Sequence, residues 1–243
     1  MTSARVRRVA RSRQTSSALP LRRLRPLRWV WRGLLGLCLL VALLVGAYAI
    51  IPLPGTPYML AERVRLGQVR YEWADMDAIA PVMARSAVAA EDANFCRHWG
   101  FDIDALRDAI DGGARRGGST ITQQVVKNAF LWQGRSWPRK AMEAVLTPAV
   151  EMVWSKRRIL EVYLNIAEFD EGVFGVGAAA PWYFGVSAKN LSATQAARLA
   201  AILPDPKDRS AAKPSGFVRK RAASIADGAA TIRRDGRAAC FGG

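Results

Sequence analysis

Residues 117–132 read GGSTITQQVVKNAFLW. Thr120 followed by Gln123 is the S/T-x-x-Q spacing of a capping box, in which each side chain closes the other's free backbone N–H and opens a helix. Upstream, GGARRGGST (112–120) is a glycine-rich break, and Ile103 to Ile110 is a short helix. Before that, DAIAPVMARSAVAAEDANF (77–95) is predicted to be one helix, with Ala84, Val88, Glu91 and Phe95 on a single stripe. Downstream, Ser136 with Trp137-Pro138 starts a helix running to about Trp154, with a kink expected at Pro148. Another helix covers Arg157 to Ala167, FDEGVFGVG (169–177) is expected as a glycine-rich loop, and a second capping box at Ser192 and Gln195 opens a helix that Pro204 stops. No run alternates with strand period and no repeat of 20–50 residues is visible, so the expected class is mostly α.

Toward the N-terminus the character changes. GLLGLCLLVALLVGAYAII (33–51) is nineteen residues without a charge, closed by Pro52. As a helix rising 1.5 Å per residue it reaches about 28 Å, close to a hydrocarbon core of roughly 30 Å. The run is longer than the hydrophobic part of a signal peptide, and IPLPGTPY offers no small-x-small cleavage site. Ten Arg and no acid lie in residues 1–32, which places that end in the cytoplasm and the rest beyond the membrane. The expected organisation is a basic cytoplasmic tail (1–32), a transmembrane helix (33–51), a Pro/Gly-punctuated linker (52–75) and a folded domain (76–243).

Composition sharpens this division. The chain of 243 residues is 51% hydrophobic and 23% charged, too apolar for a disordered protein and long enough for one substantial core. Its net charge of +16 first suggests a polyanionic partner. Without the ten tail arginines, however, 26 basic residues face 20 acidic ones, which argues against a nucleic-acid-binding domain. Cys38 lies in the span. Cys96 and Cys240 share a compartment that permits a disulfide, although the sequence does not pair them. The single histidine, His98, excludes a His-rich zinc site and reads as a structural residue beneath Phe95.

Four segments carry possible chemistry. Glu91-Asp92 ends an apolar stripe, where desolvation would raise a carboxyl pKa and suit it to proton transfer near neutrality; a carboxylate swinging into solvent is the plainer alternative. In 117–128, consecutive glycines and a helix N-terminus favour an anion, and Gln124 and Lys127 project from one side. In PRKAMEAV, Arg139 and Lys140 occupy a first helical turn that the dipole disfavours for cations, with Glu143 one turn on; an exposed ion pair is the alternative. In 156–185, Tyr163 and Ile166 belong to a core face and Glu161 with Asn165 forms a polar pair.

Together and in order, these segments resemble the peptidoglycan glycosyltransferase domain, family 51 of the glycosyltransferases, in its monofunctional membrane-anchored form. The resemblance rests on ED-x-x-F-x-x-H-x-G (91–100), GGST-I-TQQ-x-V-KN (117–128), RK-x-x-E (139–143), ILE-x-YLN (159–165) and the A-x-x-YFG stretch (180–185). It covers about residues 75–204, with a weak match beyond. It implies a lysozyme-like, mostly α domain behind one N-terminal transmembrane helix, with its smaller lobe partly in the membrane. The one SxxK, Ser210 to Lys213, has no KTG after it, so no transpeptidase is expected.

The resemblance further implies the reaction: lipid II is polymerised onto a growing glycan chain by inverting transfer, forming a β-1,4 linkage and releasing undecaprenyl pyrophosphate. Glu91 and Glu143 become the catalytic pair, with Glu91 the general base and Glu143 ionised beside its cations, holding a metal or organising the basic residues. Asp92, Phe95, Thr120, Gln124, Lys127, Arg139 and Lys140 become substrate-binding residues. A divalent cation, Mg²⁺, is expected through the pyrophosphate oxygens rather than a protein cage. Partners are the two glycan substrates, the inner (cytoplasmic) membrane and other cell-wall synthesis proteins; the site faces the periplasm. The rival readings are a lytic lysozyme-like glycosidase, which needs a protonated carboxyl rather than cations at its leaving group, and a non-catalytic membrane-anchored scaffold.

Overall fold

The computed structural model describes residues 25–111, 118–134 and 136–242. Most of the basic tail (1–24) and of the glycine-rich break (112–117) lies outside the described residues. The chain divides into two compact units, Met1–Leu43 and Leu44–Gly243. The first contains most of helix α1 (Arg25–Tyr48), whose Trp29, Trp31, Leu34, Leu35, Leu37 and Leu43 are all exposed. Within its 21 residues from Arg28 to Tyr48 an 18-residue window has a mean hydropathy of 2.2, and it is the one helix among the described residues long and apolar enough to cross a membrane. The helix begins earlier than the charge-free run and ends three residues sooner, turning at Ala49 and Ile50 before Pro52.

The second unit is helical around a small sheet. In chain order it holds α2 (Pro57–Leu66), strand β1 (Arg70–Tyr71), α3 (Pro81–Glu91), α4 (Ile103–Asp111), α5 (Ile121–Phe130), α6 (Trp137–Val153) and α7 (Lys156–Ile166). Strands β2 (Glu168–Asp170) and β3 (Val173–Phe174) follow, then α8 (Gly175–Phe184), α9 (Ala193–Ile202) and α10 (Gly216–Arg234). Helix α7 is central: Ile159, Leu160, Val162, Tyr163, Leu164 and Ile166 are at most 1% exposed, so it is packed on every side. Helix α5 lies against α6 and α7, whereas the alanine-rich α9 lets α3 and α10 approach closely.

The capping boxes at Thr120–Gln123 and Ser192–Gln195 are both formed, and Ser136 caps α6, which runs on through Pro148. Three expectations are corrected. The 52–75 segment carries α2 and β1, with Leu53 and Met59 in the core, because Thr56 caps a helix beginning with Pro57. FDEGVFGVG is a short hairpin leading into α8: β3 pairs parallel to β1 and antiparallel to β2. Close packing there requires glycine, since a Cβ on Gly177 would stand 2.4 Å from the Glu72 carbonyl oxygen. Finally, α3 ends at Glu91 and does not continue to Phe95, because Asp92 turns its carboxylate away from the helix toward other partners.

Asn165 and Glu161 do not pair through their side chains. Asn165 bonds both the N–H and the carbonyl of Ala74, and Glu161 accepts from the Met76 N–H at 2.8 Å, so both fasten the approach to α3.

Candidate active site

The end of α3 is set by Asp92. Its Oδ2 accepts from the Ile121 N–H at 3.0 Å, at the start of α5, and its Oδ1 lies 2.8 Å from His98 Nε2. This carboxylate therefore joins α3 to the N-terminus of α5, where the helix dipole favours negative charge. The junction is tightened by Thr120, whose hydroxyl donates to the Gly100 carbonyl at 2.6 Å. Gly100 has φ of +79°, and a Cβ there would sit 2.4 Å from Thr147 Cγ2 on α6, so glycine is required on both counts.

Glu91, at the last position of α3, faces α5. Gln124 Nε2 donates to its Oε2 at 3.0 Å, while Arg221 Nη2 from α10 stands 3.7 Å from its Oε1. Burial pushes the Glu91 carboxyl above the usual range against the opposing pull of Gln124, Arg221 and Lys127. One turn beyond Gln124, Lys127 has its ammonium pushed below its ordinary value by burial and by the neighbouring Arg139. Lys140 is lowered for the same reasons, with Arg139 and Lys127 as the charges responsible. Three cations thus crowd one another between α5 and α6.

Their counter-ion is Glu143, 2% exposed: Arg139 ion-pairs with its Oε1 and Lys140 donates to its Oε2 at 2.8 Å. Both Glu143 oxygens thus face cations, an arrangement that suits the organisation of the basic residues. Arg139 Nε is buried without an acceptor among the described residues. Three cations around the Glu143 carboxylate, with one buried donor unsatisfied, suit contact with an anion.

The sequence-derived residues separate accordingly. Glu91, Gln124, Lys127, Arg139, Lys140 and Glu143 come together around one cluster. Asp92, Phe95 and Thr120 do not line it. Phe95 is 0% exposed and packs near Phe241 with the Lys156 ammonium over its ring, so it offers a ligand no surface. Asp92 and Thr120 spend their oxygens on the α3–α5 junction. His98 bonds Asp92 through Nε2 and lies edge-on to Phe95, ring centroids 6.4 Å apart. Asp92, His98 and Asp102 have ligand-type atoms within 4.8 Å of one another, but hydrogen bonds to Ile121, His98, Asn94 and Ala105 already account for the two carboxylates. Sequence reasoning missed Arg221, which lies beyond the motifs and reaches Glu91 only through the packing of α10 on α3. It also missed Glu151, which holds Thr122 at 2.6 Å and Lys156 at 2.8 Å beneath the junction.

The family model described as transglycosylase matches residues 59–230, from α2 to within α10. The chain belongs to the transglycosylase family. Among relatives of this transglycosylase, a biosynthetic peptidoglycan transglycosylase of Jannaschia sp. (strain CCS1) is 63% identical over 88% of the chain and 90% of its own length. Proteins of the same description from Rhodospirillum centenum and from Escherichia coli O127:H6 are each 46% identical, over 89% and 84% of the chain and 96% and 90% of their own lengths.

Proposed function

We propose that this transglycosylase is a peptidoglycan glycosyltransferase that polymerises lipid II into glycan chains during cell-wall synthesis. The reading is carried by one juxtaposition: a desolvated carboxyl at the end of α3 beside a cluster of three cations between α5 and α6. Transfer from a pyrophosphate carrier needs a base at the attacking hydroxyl and positive charge at the leaving group, and these two parts supply them. A lytic glycosidase needs an acid at its leaving group and has no use for such a cluster.

In this mechanism Glu91 takes the proton of the acceptor GlcNAc 4-hydroxyl. The oxygen attacks the anomeric carbon of the donor MurNAc, the new C–O bond forms as the bond to phosphate breaks, and undecaprenyl pyrophosphate departs with the bonding electron pair. Attack opposite an α-linked phosphate leaves a β-1,4 linkage. Lys127, Arg139 and Lys140 meet the pyrophosphate, and Gln124 orients Glu91. Glu143 holds Arg139 and Lys140 in register. A divalent cation would enter through the pyrophosphate oxygens, since Glu143 already faces Arg139 and Lys140 and the Asp92 and Asp102 carboxylates already accept hydrogen bonds.

The same reading places the protein in the inner (cytoplasmic) membrane as a single-pass protein with the second unit on the periplasmic side. The apolar helix and arginine-rich flank support it. So does the bridge between Cys96 and Cys240, since such bonds persist in oxidising compartments. Exposed Trp137, Val145, Met152 and Val153 on α6 fit contact with a lipid surface where the substrate lies. Incubation of the purified protein with labelled lipid II and Mg²⁺ is expected to yield a gel ladder of glycan chains. Products no longer than a disaccharide would overturn the reading.

A further inference from the structure

Helix α10 lies outside the catalytic motifs, yet it supplies the second contact to the Glu91 carboxylate. Gln124 on α5 takes Oε2 at 3.0 Å, and Arg221 on α10 stands 3.7 Å from Oε1, so the two oxygens are addressed from different elements. Glu91 ends its helix and the chain leaves helical geometry at Asp92, so side-chain contacts have to set its direction. Arg221 Nε is buried with no acceptor among the described residues, and its separation from Glu91 is that of an ion pair, not a hydrogen bond.

The end of the chain holds this arrangement in place. The Cys96–Cys240 bridge ties the C-terminal segment to the turn that follows Glu91. Arg237 donates to the Ala93 carbonyl at 3.2 Å, and Arg157 donates to the Phe241 carbonyl at 3.2 Å. Phe241 packs near Phe95 with ring centroids 6.4 Å apart.

We propose that Arg221 is a positioning residue for Glu91, delivered by α10 and kept in register by the Cys96–Cys240 strap. The proposal rests on the reading of Glu91 as the base. The groups facing Glu91 are Lys127 from α5, Tyr163 from α7, Arg221 from α10 and the adjacent Asp92. Removing Arg221 leaves Lys127 as the facing cation and lets the Oε1 side of the carboxylate swing. The base is then misplaced and protonates at higher pH.

The experiment uses the full-length protein in lipid vesicles, with labelled lipid II and rates measured across pH for wild type, Arg221→Ala and Arg221→Lys. For Arg221→Ala, kcat should fall by about 10–100-fold, as expected for a misplaced reacting group. KM should change by less than about threefold, and the acid limb should move to higher pH. Arg221→Lys, which keeps the charge, should return the limb toward its wild-type position. An unmoved limb, with kcat either unchanged or lost together with thermal stability, overturns the proposal, as does a loss confined to KM. Glu91→Gln in the same assay separates the two readings: if it stays active, the base assignment fails whatever Arg221 does.

Discussion

At Glu91 burial outweighs three stabilising neighbours, and this sets the pH response. A base acts only when unprotonated, so turnover should rise as pH passes through a carboxyl pKa held above the ordinary 4.5. Lys127 works in the opposite sense: burial and Arg139 hold its ammonium below the ordinary 10.5, so its charge, and with it leaving-group stabilisation, is lost as pH rises through that lowered value. A bell-shaped kcat profile should result, narrower on both sides than unperturbed groups would give. An acid limb at or below 4.5 would contradict the placement of Glu91. Lys127→Ala and Arg139→Ala should each reduce polymerisation by about tenfold or more, the usual worth of a hydrogen bond to a charged group, with the circular dichroism unchanged. Near-normal rates in both variants would leave these cations as partners of Glu143 and nothing more.

Among the elements, the α3–α5 junction decides whether the site exists. Asp92 serves two donors at once, so Asp92→Ala strands the Ile121 N–H and His98 Nε2 in a buried place. A loss of about 1–3 kcal/mol is expected, read as a lowered Tm; an unchanged Tm would mean that the junction is held elsewhere. Local spacing made much of this level legible. The capping boxes at Thr120 and Ser192 and the cap at Ser136 are four-residue patterns, and each was realised. The end of α3 was not legible, because the partners that draw Asp92 out of the helix lie 6 and 29 residues away. Phe95 was placed on the Glu91 stripe for the same reason, since periodicity assumes that the helix continues. The hairpin of β2 and β3 escaped notice because strands of three and two residues carry no alternation to read. Arg221 carried no signal at all, as its contact is made entirely by the packing of one distant helix on another.

For the whole molecule, charge and covalent connectivity are arranged by position along the chain. The ten arginines of residues 1–32 account for most of the +16. The second unit is closed by a bridge spanning 144 residues, from the turn after Glu91 to the C-terminal strap. Opening it with a thiol reductant, or by Cys96→Ser with Cys240→Ser, should cost about 2–5 kcal/mol of stability. Because the strap holds α10, polymerisation should fall along with it. Protein isolated without reductant should have Cys96 and Cys240 closed to alkylation; free thiols at both would contradict residence outside the cytoplasm. The central claim, that Glu91 is the base of a glycan-polymerising site, is tested most directly by the kcat of Glu91→Gln with lipid II binding measured alongside. The account predicts a fall of about 10²-fold or more, the usual cost of losing a general base, with binding largely retained. Polymerisation at more than about a tenth of the wild-type rate would contradict it.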